Sequence, residues 1–183
     1  MRVPTHYPIP FVDLSIRSFE AHYTPWLNLS HTYPSPSSPP SLNDFLTLAR
    51  CAVTARHLPP ESMSVVLPRI QQLVEHAVLV HMFNATKSAS IEAVQALLIL
   101  SRWSPAVGPL PSDVQDGGLI AKATVKMAMT LGLDKSMDKL LAFRERIKSS
   151  GAMSLVEERE HERLIYESRL VGVRLFGHAV QCC

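Results

Sequence analysis

The residues of this 183-residue chain that can take part in chemistry are few, and their spacing does not match a known catalytic or metal site. His76 and His81 are five residues apart, which places them about 140° apart around a helix instead of on the shared face of a zinc-binding pair. Glu158 and His161 match the Glu-x-x-His half of a di-iron site, but that site needs a second such motif and two further glutamates. Here the motif lies in a run of alternating charges, which is typical of a solvated, salt-bridged helix start.

The remaining candidates for nucleophilic chemistry or phosphate binding are also incomplete. Asp116-Gly117-Gly118 has the wrong glycine spacing for a P-loop or a dinucleotide fingerprint, and no predicted strand precedes it. Cys51 lies inside a predicted buried helix face without a base near it in the sequence, and the chain has no Gly-x-Ser-x-Gly motif. We therefore predict that the chain is not an enzyme and has no catalytic, cofactor-binding or metal-ligating residue.

Composition limits the classes of partner. Hydrophobic residues make up 46% of the chain and charged residues 19%, which excludes wholesale disorder. The formal net charge of +2 is too small to indicate binding to nucleic acid or to an anionic membrane. Four lysines could form a basic stripe, but two aspartates interrupt it and no aromatic residues alternate with it, so solubility explains these lysines better: Lys122, Lys126, Lys135 and Lys139.

Two further observations bear on the compartment. No stretch reaches the ~20 consecutive apolar residues of a membrane helix, so we expect a soluble protein with no membrane partner. The chain has only three cysteines, Cys51, Cys182 and Cys183, and this odd number favours a reducing intracellular compartment.

Residues 90–103 are predicted to form a helix, and residues 91–103 should be the most buried part of the chain. Only Glu92, Gln95 and Arg102 form a polar stripe, so we predict a core helix that Ser90 caps and Pro105 ends. If this helix is central, Leu98→Ala should cost about 2 to 5 kcal/mol.

Capping and stop signals predict further helices on both sides of this one. Ser41 with Asp44 resembles a capping box, Pro60 suits a first helical turn, and Gly132 suits a helix C-terminus. Pro68 either kinks the helix after Pro60 or marks its start. Ser154 and Glu157 form a complete capping box for the last helix. The apolar residues of these helices are expected to be buried: Phe45, Leu48, Ala52, Ala55; Val66, Ile70, Leu73, Ala77, Val80, Met82; Ile120, Ala123, Met127, Leu131; Leu164, Ile165, Leu170, Val173, Leu175.

These signals, with no competing strand pattern, predict an all-α fold, an irregular bundle or array of about five to seven helices. Residues 11–27 are expected to form a short helix around Leu14, Ile16 and Phe19, and the Pro/Ser tract 30–41 is expected to be irregular. We therefore assign residues 1–40 to an N-terminal extension with a linker and residues 41–183 to a helical domain, with the core beginning after the tract.

Two segments, A-L-L-I-L-S-R-W (96–103) and V-K-M-A-M-T-L-G-L-D (125–134), resemble the regulatory middle region of fungal zinc-cluster transcription factors. In that family a helix rich in Gln-Ala-Leu-Leu-Leu precedes one that ends close to Ala-Val-Arg-Met-Ala-x-x-Leu-Gly-Leu-His. Lys126 stands at the usual arginine, and Thr124 and Asp134 depart from the commonest alanine and histidine. A third segment, L-A-R-C-A-V-T-A-R-H-L (48–58), is similar to the family's helix ending in Ala-Arg-His, so the resemblance covers roughly residues 40 to 170.

The resemblance implies a nuclear regulatory domain that modulates transcription by RNA polymerase II through a protein partner, a homo- or heterodimer, or a small-molecule effector. Members of the family bind DNA through six cysteines that hold two zinc ions, and three scattered cysteines cannot form that cluster. Direct DNA binding and a zinc cofactor are therefore not expected of this chain. The alternative is a free-standing helical interaction scaffold unrelated to transcription.

The last predicted helix fits the family pattern less well. Ile165 and Tyr166 approximate the family's aromatic pair, but Arg169 and Gly172 differ from the residues that come after this pair in the family. We therefore expect a truncated, incomplete domain whose C-terminal helix is the least protected element or the site of dimer contact.

Overall fold

The computed structural model describes residues 9–27, 44–84, 88–103, 117–150 and 153–172. Nearly all of these residues are helical, and the described ranges contain no strand, which confirms the all-α prediction. The α-helices are α1 (Ile9–His22), α2 (Thr24–Leu27), α3 (Phe45–Thr54), α4 (Pro60–Phe83), α5 (Ile91–Trp103), α6 (Gly117–Thr130), α7 (Ser136–Ser150) and α8 (Leu155–Gly172). Two 3₁₀ turns, Ala55–His57 and Leu133–Lys135, extend α3 and lead into α7. No helix in these ranges has the length and apolar character needed to cross a bilayer.

Side-chain caps fix the starts of three helices. Ser90 Oγ accepts a hydrogen bond from the amide of Ala93 at 3.1 Å, which confirms the predicted cap of α5. Ser154 and Glu157 bond reciprocally at the start of α8, at 2.9 and 3.3 Å, and confirm the capping box. At α3 the capping residue is Asp44 itself, which accepts from the amide of Thr47 at 3.1 Å. The predicted capping role of Ser41 falls outside the described residues.

Proline and glycine act at the helix ends as predicted. Pro60 occupies the first turn of α4, where its missing amide is harmless. Pro68 lies inside α4, so it does not mark the start of that helix. Gly132 has a φ of 67°, the left-handed conformation that ends α6.

The core is centred on α5, which packs against α3 on one side and α6 on the other. As predicted, almost no surface is exposed at Val94, Leu97, Ile99 and Leu100, and Ala96 is buried with them, whereas Ile91 and Trp103 are only partly buried. The prediction for the polar stripe is wrong at Gln95, which is buried, and Leu98 is only partly buried.

On the other helices the predicted buried face does point toward the core, but some residues assigned to it are not buried. On α6 Ile120 and Met127 are buried, and Thr124 joins them because its hydroxyl donates to the Ile120 carbonyl at 2.7 Å. On α4 the buried residues are Ile70, Val74 and Val78. Val80, which we predicted on the buried face, is exposed because the inward stripe follows the i, i+4 spacing from Ile70.

The prediction that the core begins after residue 41 is wrong. Helix α1 packs on α3, and Val12 and Phe19 of this helix belong to the same core as α5 and α6, together with Tyr23 directly after it. Leu14, expected on its apolar face, is 63% exposed. The predicted irregular tract 30–41 lies outside the described residues.

Helices α7 and α8 pack on each other around a small second core of Leu140, Phe143 and Leu164. Leu170 near the end of α8 is buried in the main core. Residues beyond Gly172 that we expected on the apolar face of the last helix lie outside the described ranges.

Candidate functional site

Aromatic and basic side chains from α1, α3, the turn Ala55–His57 and α5 meet in one place. We call this set the aromatic–cationic cluster, and it consists of Phe19, His22, Tyr23, Arg50, Arg56, His57 and Trp103. Phe19 and Tyr23 are four residues apart, so they lie on one face at the end of α1. Arg50 is on α3, and Trp103 is the last residue of α5. Each residue of the cluster therefore comes from a helix, or from the end of one, that the core holds in place.

Three rings form the apolar part of the cluster. The rings of Phe19 and Tyr23 are stacked, with centroids 5.3 Å apart. Trp103 meets both rings edge-on, at 6.4 Å from Phe19 and 5.2 Å from Tyr23. Edge-on and offset contacts of this kind are favourable arrangements for aromatic quadrupoles, so they hold the three rings in one geometry.

Tyr23 also links the rings to the histidines. Its hydroxyl oxygen lies 2.7 Å from Nε2 of His57, a hydrogen bond between residues 34 positions apart in the chain. The ring of His22 lies 6.0 Å from that of His57. Partial desolvation, and then the nearby side chains of Arg56 and His22, lower the pKa of His57. A neutral imidazole is therefore favoured at neutral pH, and in the tautomer with hydrogen on Nδ1 its Nε2 accepts the hydrogen bond that the Tyr23 hydroxyl donates.

The two arginines lie over the stacked rings. Arg50 Cζ is 5.8 Å from the Phe19 centroid and Arg56 Cζ is 5.3 Å from the Tyr23 centroid, within cation–π range. Arg56 Nε donates to the Val53 carbonyl at 2.9 Å, which fixes the guanidinium at the end of α3. Within the described residues, neither arginine has a carboxylate within the 4.0 Å of an ion pair. Arg50 Nε and Arg56 Nη2 are buried and have no hydrogen-bond acceptor.

Among the described residues, the cluster therefore combines two arginines that lack a carboxylate partner with three aromatic rings in contact. Guanidinium groups present paired N–H donors that match the oxygens of a carboxylate or phosphate. Its surface side is formed by His22 and His57, which are both exposed. This arrangement is suited to holding an anion.

The histidines that we weighed from sequence lie elsewhere and do not meet. His76 is exposed on α4, whereas His81 is half-buried and stacks on Phe45 with ring centroids 4.4 Å apart. Burial lowers the pKa of His81, and a hydrogen bond with the Ser88 backbone opposes this only partly. In the described ranges no three His, Cys, Asp or Glu side chains come close enough to hold a metal ion.

Glu158 and His161 were both expected on a solvated helix face, but only Glu158 is exposed to solvent. Glu158 is exposed, but His161 stacks on Phe143 of α7 with centroids 5.7 Å apart. The predicted salt bridging is present next to it, where Arg146 of α7 lies 3.8 Å from Glu160 of α8. His161 is therefore a packing residue between α7 and α8.

Cys51 is fully buried next to Ser15, and burial raises its pKa to about 12. A thiol with such a pKa is a poor nucleophile, because the thiolate is the reactive form. The four lysines of the possible basic stripe are all exposed, and Gly117 is the first residue of α6. Asp116 lies outside the described residues.

No family model, curated protein or solved structure matches the chain.

Sequence reasoning missed the aromatic–cationic cluster because it treated residues 1–40 as an extension. The signal was present in two parts: the Phe19 and Tyr23 pair at i, i+4 spacing, and Arg56-His57 at the end of a buried helix. Only the packing of α1 on α3 brings the two parts together.

Proposed function

We propose that the chain is a helical regulatory domain of the kind found in the middle region of fungal zinc-cluster transcription factors. It modulates transcription by RNA polymerase II in the nucleus, through a protein partner, a dimer contact or an effector, and it does not read DNA itself.

One observation carries this proposal: the three segments that resemble the family lie on helices that pack together, with α5 between α3 and α6. Segment 48–58 covers most of α3 and its 3₁₀ turn, segment 96–103 is the second half of α5, and segment 125–134 ends α6. Helix α5 contacts both α3 and α6 more extensively than it contacts any other element. A resemblance spread over separate parts of the sequence is therefore one contiguous piece of the fold.

The matching residues have definable roles in that piece. Met127 and Leu133 are buried in the main core, and Gly132 supplies the left-handed end of α6. Lys126, at the family's arginine position, is exposed. These roles support a shared helix arrangement, and the regulatory function is inferred from that arrangement.

A scaffold unrelated to transcription is the second candidate, and exposed apolar residues favour it. The last turns of α4 present Leu79, Val80 and Phe83 to solvent, and Phe83 is 83% exposed. Apolar side chains grouped at a surface often mark a protein contact. Such a contact suits a scaffold as well as a regulatory domain.

A reporter assay separates the two candidates. The chain is fused to the DNA-binding domain of a zinc-cluster factor in a fungal reporter strain, and expression is compared with that domain alone. We expect the fusion to change expression, and a matched fusion carrying Leu97→Asp to lose the change because a charge would be placed at a fully buried core position. A folded fusion with no effect would favour the scaffold.

Two further measurements bear on the mechanism. In gel-shift assays at physiological salt the purified chain should show no sequence-specific DNA binding, and specific binding would contradict the proposal. Sequencing of the transcript upstream of Met1 should reveal a reading frame with six suitably spaced cysteines if the chain belongs to a longer factor.

A further inference from the structure

We propose that the aromatic–cationic cluster is a binding site for a small oxyanion, the carboxylate or phosphate group of an anionic effector. The inference deepens the proposed function and rests on it only for the role of the anion as an effector, because anion binding can be measured without reference to transcription.

The cluster holds positive charge that has no carboxylate counter-ion among the described residues. Arg50 and Arg56 are permanently charged, and within the described residues neither has a carboxylate at ion-pair distance. Their ring contacts with Phe19 and Tyr23 stabilise the cations without neutralising them. The positive potential reaches the neighbouring histidine: Arg56 and His22 both lower the pKa of His57, after burial, and no carboxylate acts against them. An anion would supply the missing charge.

The cluster also holds hydrogen-bond donors that have no acceptor among the described residues. Buried polar groups are almost always paired, and an unpaired one needs an explanation. Arg50 Nε and Arg56 Nη2 are both buried donors without an acceptor. An oxyanion offers several acceptor oxygens in the planar geometry that a guanidinium group matches.

These groups are held in place before any ligand arrives. The bond from Arg56 Nε to the Val53 carbonyl keeps this guanidinium in one orientation. The Tyr23 to His57 hydrogen bond and the edge-on contact of Trp103 fix the rings beneath it. A site that is ordered in advance loses less entropy when it binds a ligand. His22 and His57 are exposed, and both arginines of the cluster are only half-buried, so a ligand can reach the arginines from the histidine side.

The test is a titration of the full chain with sodium phosphate and, separately, with sodium succinate, each against sodium chloride at equal ionic strength. Binding is followed by the NMR signals of the arginine and histidine side chains and by calorimetry. We expect saturable binding of at least one of the two oxyanions, with shifts confined to Arg50, Arg56, His22 and His57. The titration that saturates at the lower concentration identifies the group as phosphate or carboxylate.

Three variants locate the site. Arg56→Gln should weaken binding at least tenfold, and His22→Gln should weaken it by a smaller factor. His22 is exposed and its only described contact in the cluster is with the His57 ring, so this second variant remains informative if loss of the Arg56 bond disturbs α3. The matched control is Arg144→Gln, an exposed arginine on α7 outside the cluster, and it should bind like the parent.

Shifts that fail to saturate, or that match those in chloride, would overturn the site. So would unchanged affinity in a folded Arg56→Gln variant together with His22→Gln. The reporter fusion keeps this failure separate from failure of the proposed function. If the fusion changes reporter expression but the chain binds no oxyanion, only the proposed binding site is wrong. If the chain binds an oxyanion but the fusion has no effect on expression, only the proposed regulatory function is wrong.

Discussion

His81 illustrates how single polar residues are held in this chain. Its ring stacks on Phe45, and Nδ1 is buried with no hydrogen-bond partner. Spacing alone excluded a shared face for His76 and His81, and the structure agrees, since only His81 turns toward the body of the protein. The sequence did not identify the Phe45 partner, because that contact joins α4 to the start of α3.

Stability should fall on acidification partly because of His81. The pKa of His81 is lowered in the folded state by burial, below its ordinary value of 6.5. As the pH falls below 6.5, the unfolded chain therefore takes up a proton before the folded chain does, and the free energy of unfolding decreases. His81→Phe keeps an aromatic ring on Phe45 and removes the titration, so it should show a smaller loss between about pH 7 and about pH 5.

Urea unfolding at several pH values measures this effect. His76→Phe is the control, because His76 is exposed on the same helix, and it should retain the pH dependence of the parent. The pKa of His57 is also lowered, so both variants should keep the part of the pH dependence of stability that comes from His57. Equal slopes for parent and His81→Phe would contradict the assignment.

Cys51 should be protected from thiol reagents in the folded chain. Burial raises its pKa to about 12, so very little thiolate exists at mildly alkaline pH, and the side chain has no exposed surface. In a Cys182→Ser, Cys183→Ser background, labelling by a disulfide reagent should be slow in buffer and immediate in denaturant. The Cys51→Ala version of that background gives the zero-signal control. Native labelling at the rate of a free thiol would show that α3 opens without global unfolding.

At the scale of elements, caps and breakers were the most predictable features. Ser90, Gly132 and the Ser154–Glu157 box act through residues within one turn, so local sequence contains the whole signal. The rotation of each helix about its axis was less predictable. Helix α5 is apolar nearly all round, and its sequence does not say which side faces α3 and which faces α6.

Because the sequence does not fix the rotation of α5 about its axis, the best substitution for testing its packing is at Leu97 and not at Leu98. Leu97 is 0% exposed, so Leu97→Ala should cost about 2 to 5 kcal/mol through lost burial and the cavity left behind. Leu98 is only partly buried, and Leu98→Ala should cost about 1 kcal/mol, less than the sequence suggested. The pair is matched, because the same atoms are removed from adjacent positions of one helix. Equal losses of unfolding free energy in the two variants would contradict the orientation of α5.

At the scale of the whole molecule, the largest error of sequence reasoning concerned α1. The Pro/Ser tract 30–41 looked like a boundary, and on that basis Phe19 and Tyr23 were assigned to an extension. A boundary inferred from composition says nothing about whether the segment before it folds back. The entropic cost of bringing two chain segments together rises only slowly with the number of residues between them, so apolar contacts of α1 with α3 can outweigh it.

The two cores divide the described residues into parts that should differ in local stability. The main core joins α1 and α3 to α6, whereas the second core has only Leu140, Phe143 and Leu164 at its centre, between α7 and α8. Regions with few buried apolar residues open more readily than the rest of a protein. Amide hydrogen exchange should therefore be slowest in α3 and α5 and markedly faster in α7 and in the first turns of α8.

Substitution within each core tests this order. Phe143→Ala removes the ring that packs on His161, and it should speed exchange in α7 and α8 while α3 and α5 keep the rates of the parent. Leu97→Ala should instead speed exchange everywhere, because α5 lies at the centre of the main core. Leu170 is buried in the main core, so the end of α8 should exchange more slowly than its start. If Phe143→Ala accelerated α3 and α5 as much as α7, the two cores would open as a single cooperative unit, and the smaller one would not be a separate region of low stability.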